Sequence, residues 1–186
     1  MFAELLARLG RGLDAAGLPY MVIGGQAVLL HGEPRLTRDV DVTLGAGLER
    51  LDDLLRALTP MGLRPLVDPA DFTRRTLVLP CEDPATGLRV DFILSFTPYE
   101  HAAIARALAV TVGGATVRFA TAEDLVVHKI LAGRPRDLED VRGVLRKTPG
   151  LEAGRVRAAL GEIGEAVAEP LVERFDALVA EEARRG

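Results

Sequence analysis

The sequence predicts an α+β fold: a mixed β-sheet with flanking helices through about residue 120, then a helical C-terminal region packed on that core. Three observations lead there. Apolar residues at helical spacing alternate with short apolar or period-two runs through the first two thirds of the chain. Glycines and prolines separate those runs. From Thr121 onward every segment reads as helix, and strands mixed with helices followed by helices alone is the pattern of an α+β domain. The expected division is 1–120 for the α/β core and 121–186 for the helical region.

The elements follow in order. In "FAELLARLGRGLDAAG", Leu5, Leu6, Leu9 and Leu13 recur on one helical face, and Gly17 and Pro19 end the helix. "PYMVIG" is a short apolar strand, and "GQAVLLHG" a helix that opens at Gly24–Gly25 and closes at Gly32. "RDVDVTL" alternates Asp39, Asp41 and Thr43 with Val40, Val42 and Leu44, the period of a strand. "GLERLDDLLRALTPMG" is an amphipathic helix ending at Gly62. Residues 63–95 hold three expected strands, "LRPLV", "RTLVLP" and "LRVDFIL", with the turn "DPATG" before the last. "PYEHAAIARAL" is a helix, and "AVTVGGATVRFA" a hairpin around Gly113–Gly114. Thr121 followed by Asp124 resembles a capping box with Asp in place of Glu. Helices are expected at about 122–132, 136–147, 152–166 and 168–184.

The 186 residues are 48% hydrophobic and 27% charged, enough for an ordinary core and unlike a disordered chain. The net charge of −4 argues against a general nucleic-acid coat protein, though not against a local basic surface. The single cysteine, Cys81, has no internal disulfide partner and reads as a small buried hydrophobe of a reducing compartment. The longest uncharged window, residues 15–32, is broken by Gly17, Pro19, Gly24 and Gly25, so no membrane span is expected. No cationic start precedes an apolar stretch at the N-terminus, and a cytoplasmic location is expected.

The chemistry concentrates in the acids. Residues i and i+2 of a strand share a face, so Asp39 and Asp41 project together. Two carboxylates about 4 Å apart repel by roughly 1 kcal/mol in water and about 4 kcal/mol at an effective dielectric near 20. Full solvation on an edge strand, protonation of one member, or a cation between them would each relieve that. Oxygen-only ligands suit Mg²⁺. Asp91 is a lone acid between Val90 and Phe92, where an unpaired carboxylate is costly. It is either a site residue or the partner of an arginine such as Arg89 or Arg118. Gly24–Gly25 lies between a strand and a helix, where the backbone can approach a ligand and the helix N-terminus offers free N–H groups. The turn suits a phosphate, or is simply a tight connection.

Taken together, "GGQAVLLHGEPRLTRDVDV" resembles the first motif of the polymerase-beta-type nucleotidyltransferases, in which a glycine pair or Gly-Ser opens a helix and an Asp-x-Asp follows on the next strand. Thirteen residues separate Gly25 from Asp39, a spacing that fits. Asp91 in "RVDFIL" matches the superfamily's third carboxylate. The form "GGxAxxxHGxxRxTxDxD" is similar to small stand-alone prokaryotic members, including AbiEii-type toxin nucleotidyltransferases, and "TAEDLVVHKILAGRPRDLEDV" resembles their helical segment. The likeness spans about residues 18–145. It implies a Mg²⁺-dependent enzyme that moves a nucleoside monophosphate from an NTP to an acceptor hydroxyl. Asp39, Asp41 and Asp91 would hold the metal, and Gly24 and Gly25 would cradle the nucleotide. Lys129 and Arg134 would contact its phosphates, and Asp137 would orient a base or deprotonate the acceptor. This chain has Gly25 where many members have serine, and the backbone N–H groups, Thr37 or Arg38 are candidates to compensate. Arg35 and Arg38 bracket the loop before the aspartates, where they could meet the triphosphate or stand in solvent beside the acids. Read from the residues alone, Lys129 could also snorkel from an apolar helix face, and Arg134 with Asp137 could be a surface ion pair.

The acceptor is not written in these motifs. Residues 129–157 carry eight basic side chains against four acidic ones, a flank that could guide RNA such as a tRNA end or could be ordinary solvated helix surface. With six Phe, two Tyr and no Trp, no stacking platform for single strands is evident. A small-molecule acceptor of aminoglycoside type and a protein hydroxyl stay open, as does a cognate antitoxin as partner. The competing classes are a non-catalytic nucleotide-binding or toxin–antitoxin protein on the same fold, and a plain interaction domain.

Overall fold

A seven-stranded mixed sheet is the frame on which the acids sit. The computed structural model describes residues 1–95 and 97–185, and Phe96 and Gly186, the last residue of the expected helical region, lie outside the described residues. The elements run α1 (Phe2–Ala15), β1 (Tyr20–Ile23), α2 (Gly24–His31), β2 (Asp39–Leu44), a 3₁₀ turn (Leu48–Arg50), α3 (Leu51–Met61), β3 (Arg64–Pro65), α4 (Pro69–Thr76), β4 (Val78–Asp83), β5 (Leu88–Leu94), α5 (Pro98–Ala105), β6 (Leu108–Val112), β7 (Ala115–Phe119), α6 (Ala122–Ala132), α7 (Pro135–Lys147), α8 (Ala153–Val167) and α9 (Leu171–Ala183). The contacts divide the chain into two units: Met1–Gln26 with Leu36–Ala120, and Ala27–Arg35 with Thr121–Gly186. Most of α2 therefore groups with the helices that follow Thr121, which the sequence did not signal.

In the first unit the strand order is β3-β4-β5-β2-β1-β7-β6. β1 pairs antiparallel with β2 and parallel with β7, and β2 pairs parallel with β5. Side-chain alternation then sorts the sheet into two faces. One carries Tyr20, Val22, Val40, Val42, Val90, Phe92 and Val117, all buried. Helix α1 covers it with Leu5, Leu9 and Leu13, and within the sheet the Tyr20 hydroxyl of β1 accepts the Arg118 amide of β7 at 3.2 Å. The other face is split. Toward α5 it is apolar, where Met21, Ile23, Ala103, Ile104 and Ala120 cluster with Ile93 and Tyr99. Away from α5 it carries Asp39, Asp41 and Asp91.

Two expectations in 63–80 needed correction. "LRPLV" contributes only Arg64–Pro65 to the sheet, since Pro65 has no N–H to give. Arg75 and Thr76, expected in a strand, close helix α4, and β4 starts at Val78. Helix α4 has a legible start: the Asp68 side chain accepts the Asp71 amide at 2.9 Å, and Pro69 sits in the first turn. It lacks an apolar stripe, because only Thr73 is buried, so hydrophobic periodicity did not mark it. The hairpin turns at Gly113–Gly114, both at positive φ (55° and 73°), with Val112 opposite Ala115.

The second unit is helical. Thr121 caps α6 by accepting the Asp124 amide at 3.2 Å while donating its hydroxyl to the Asp124 carboxylate at 2.8 Å. Val126, Ile130, Val141, Val144, Val156, Leu160, Phe175 and Leu178 are buried in it. No described helix is long and apolar enough to cross a membrane.

Candidate active site

Parallel pairing of β2 with β5 places Asp39 opposite Arg89 and Asp41 opposite Asp91. Partners across a ladder share a face, and adjacent strands lie about 4.8 Å apart, so the three carboxylates and one guanidinium form a small group on one side of the sheet. Antiparallel β4 puts Pro80 on the other side of Asp91, which removes water from that flank. Asp39 is exposed, while Asp41 and Asp91 are half-buried.

Asp91 is the least comfortable of the three. One carboxylate oxygen, Oδ1, is buried with no hydrogen-bond partner. Arg89 approaches it only to 3.7 Å, an ion pair beyond hydrogen-bond distance. Arg118, the other arginine expected as a partner, pairs instead with Asp14. Burial pushes the Asp91 carboxyl above its usual range, Arg89 pulls it down, and the charge of Asp39 adds to the rise. The neighbouring Cys81 thiol is pushed up to about 12, first by burial and then by Asp91, so it is inert.

The glycine turn is fitted to these acids. Gly24 has φ 62°, and a Cβ there would lie 1.8 Å from Asp41 Oδ2. A Cβ on Gly25 would lie 2.4 Å from Thr37 Oγ1. Thr37 in turn donates to Asp39 Oδ1 at 2.9 Å. Each glycine therefore lets the backbone close on one of the paired aspartates, Gly24 directly and Gly25 through Thr37. This also gives a steric reason for glycine at 25, since the Thr37 hydroxyl fills the space that a side chain there would use. Arg38 is exposed just before Asp39.

Among the described residues no three His, Cys, Asp or Glu side chains already form a metal cage. The donor chemistry nevertheless fits a hard divalent cation: oxygen ligands only, crowded on one face, with a buried carboxylate oxygen that lacks a partner. Asp39, Asp41 and Asp91 are the residues that would hold it.

The remaining expected site residues gather in the second unit. Lys129 is buried and donates to Asp137 at 2.7 Å and lies 2.9 Å from Asp140. Arg134 Nε reaches the other Asp137 oxygen at 2.5 Å, and Arg35 clamps Asp140 with two bonds of 2.7 and 3.0 Å. The result is an alternating chain of three cations and two carboxylates. Burial opposes the charge on Asp137, but the bonds from Arg134 and Lys129 outweigh it and hold its carboxyl below the usual range. A carboxylate so engaged is a poor proton acceptor. Arg134 is the exposed member, with 76% of its side chain accessible.

The basic excess of 129–157 is largely neutralised. Arg142 pairs with Glu181, Arg146 with Glu33 and Glu182, Arg155 with Glu123, and Arg157 with Asp176.

One residue was missed. Gln26, the third residue of α2, is buried, and its amide nitrogen has no hydrogen-bond partner. The signal in the sequence is a lone amide inside the apolar run "GGQAVLL".

Residues 3–147 match the model of the DUF6036 family, described as nucleotidyltransferases of unknown function. No curated protein matches the chain. Among solved structures, the antibiotic-resistance factor ANT(2'')-Ia in solution is 18% identical, covers 89% of this chain and 92% of its own, and has a TM-score of 0.61. An antigenic nucleotidyltransferase-like protein from Paracoccidioides brasiliensis is 18% identical over 94% of this chain and 92% of its own, with a TM-score of 0.56. ANT(2")-Ia in complex with adenylyl-2"-tobramycin is 19% identical over 96% and 94%, with a TM-score of 0.52. These likenesses place the chain in the nucleotidyltransferase fold, and the extent of the family match shows that it belongs to the DUF6036 nucleotidyltransferases.

Proposed function

From that membership, we propose that the chain transfers a nucleoside monophosphate from an NTP to an acceptor hydroxyl, with Mg²⁺ held by Asp39, Asp41 and Asp91. The observation that carries the proposal is the pairing of Asp41 with Asp91 on one face, hard against a glycine turn that leaves no room for a Cβ. Mg²⁺ in that place would supply charge neutralisation for a triphosphate and a lowered pKa for an attacking hydroxyl.

The chain's own groups do the rest. Gly24 and Gly25 open α2 so that its first backbone N–H groups face a phosphate without a side chain in the way. Thr37 holds the Asp39 carboxylate in one orientation. Arg38, exposed beside Asp39, would meet phosphate oxygens as a cation. Lys129, Asp137, Asp140 and Arg35 hold one another, so their part in this reading is to fix the segment that ends at Arg35, four residues before Asp39.

The ion-paired state of residues 129–157 weakens the case for an RNA-guiding surface. A small polyhydroxyl acceptor is therefore the leading choice, in keeping with the adenylyl-tobramycin bound by ANT(2")-Ia. Transfer to a tRNA end, with the toxin and antitoxin roles that would go with it, is the second arm of the test. The protein is incubated with each α-labelled NTP and Mg²⁺, with total tRNA in one series and aminoglycosides and other polyhydroxyl compounds in another. Label moves to one acceptor class, pyrophosphate is released, and Asp41→Asn abolishes both while the fold survives. Equal transfer by Asp41→Asn would contradict the assignment.

A further inference from the structure

The two edges of the sheet are finished very differently. At one end β3 is only two residues long, contains Pro65, and has Arg64 ion-paired to Glu82 of β4. Shortness, proline and charge are the usual protections of an edge. At the other end β6 has none of them. Leu108–Ala109–Val110–Thr111–Val112 is five residues long and wholly uncharged, without proline. Leu108, Ala109 and Thr111 are exposed, with Leu108 at 42%. Among the described residues β6 is paired on one side alone, by β7, so its outer row of backbone groups faces away from the sheet.

We propose that β6 is an interaction surface whose occupant is β6 of a second copy, the two strands pairing antiparallel across a two-fold axis at Val110. The register makes the choice of partner. A two-fold at Val110 sets Leu108 opposite Val112, Ala109 opposite Thr111, and Val110 opposite itself. Every cross-strand pair is uncharged, and each contains a β-branched residue: Val112 against Leu108, Thr111 against Ala109, and Val110 against its own copy. Continued outward, the same register sets Arg106, the nearest charge before the strand, against Gly114 of the partner's turn. A two-fold interface must be self-complementary, and this strand has nothing that repels its own copy. The paired sheets form one continuous sheet of fourteen strands, by the same strand addition that other proteins use for peptides. Asp39, Asp41 and Asp91 lie on β2 and β5, three and four strands in from this edge, so the inference stands or falls independently of the proposed reaction.

Sedimentation of the full chain across a concentration series tests it, with two double variants at the exposed positions 109 and 111. Wild-type protein moves from chain mass to twice chain mass as concentration rises. Ala109→Lys with Thr111→Lys sets two lysine pairs directly opposite one another and weakens the dimer roughly tenfold or more. Ala109→Glu with Thr111→Lys sets two opposite-charge pairs in the same places and keeps it. Circular dichroism checks that both variants fold. Wild-type protein at chain mass throughout, or a dimer that both variants leave unchanged, overturns the proposal.

Discussion

Gly24→Ala is the most informative single change, because it acts on backbone and site at once. At φ 62° an alanine pays about 1–2 kcal/mol for left-handed backbone that glycine adopts freely. Its Cβ would also fall 1.8 Å from Asp41 Oδ2, whereas ordinary contact begins at 3.4 Å. The carboxylate or the turn must therefore move by about 1.6 Å. The backbone term alone lowers the melting temperature by roughly 2–8 °C in a chain of this length. The displacement matters more for function, since about 1 Å of misplacement is enough for a 100-fold loss of rate. Calorimetry and an NTP-transfer assay on Gly24→Ala should give a loss of stability larger than that backbone term, with at least about a 100-fold loss of transfer. Combining it with Asp41→Ala separates the two effects: without the carboxylate the Gly24→Ala stability penalty falls toward the backbone term. A penalty that is the same with and without Asp41, or a Gly24→Ala enzyme of full activity, would refute the idea that the turn is shaped around this acid.

Three further outcomes follow from the same geometry. Asp91→Asn stabilises the protein at neutral pH: burial raises the folded carboxyl above its unfolded value, so wild-type stability falls as pH climbs through that interval, and the advantage of Asn vanishes below about pH 3.9 in pH-dependent melts. Asp140→Ala leaves the Arg35 guanidinium without its clamp and the buried Lys129 with one carboxylate instead of two, and denaturant titration should show a loss of about 3 kcal/mol. Arg157→Ala, which breaks the exposed pair with Asp176 and the cation–π contact with Phe175, should cost about 1 kcal/mol in the same titration, well below the Asp140→Ala loss.

Much of this was legible in the sequence, and the gaps have physical causes. Period-two alternation in "RDVDVTL" and the acid inside "LRVDFIL" determine which residues can share a face. Only the register says that they do, and no local signal encodes the parallel pairing of β2 with β5. Gly24–Gly25 marked a close approach, but what approaches, Asp41 and Thr37, is a matter of tertiary packing. Helix α4 escaped because its start is written in caps and not in periodicity, and the apolar run after it drew the reading toward a strand. The basic excess of 129–157 was visible as a count, whereas its neutralisation depends on Glu33, Glu123, Asp176, Glu181 and Glu182, all five outside that window and none of them adjacent to the arginine it pairs with. Lys129 shows the same limit: position suggested a snorkelling cation or a phosphate ligand, and the structure encloses it between two carboxylates.

Diffraction from crystals grown with Mn²⁺ and a non-transferable NTP analogue bears most directly on the central claim. The account predicts an anomalous peak coordinated by carboxylate oxygens of Asp39, Asp41 and Asp91, with the analogue's phosphates against the Gly24–Gly25 turn. Bound nucleotide with its manganese elsewhere, or no metal beside these three acids, would contradict it.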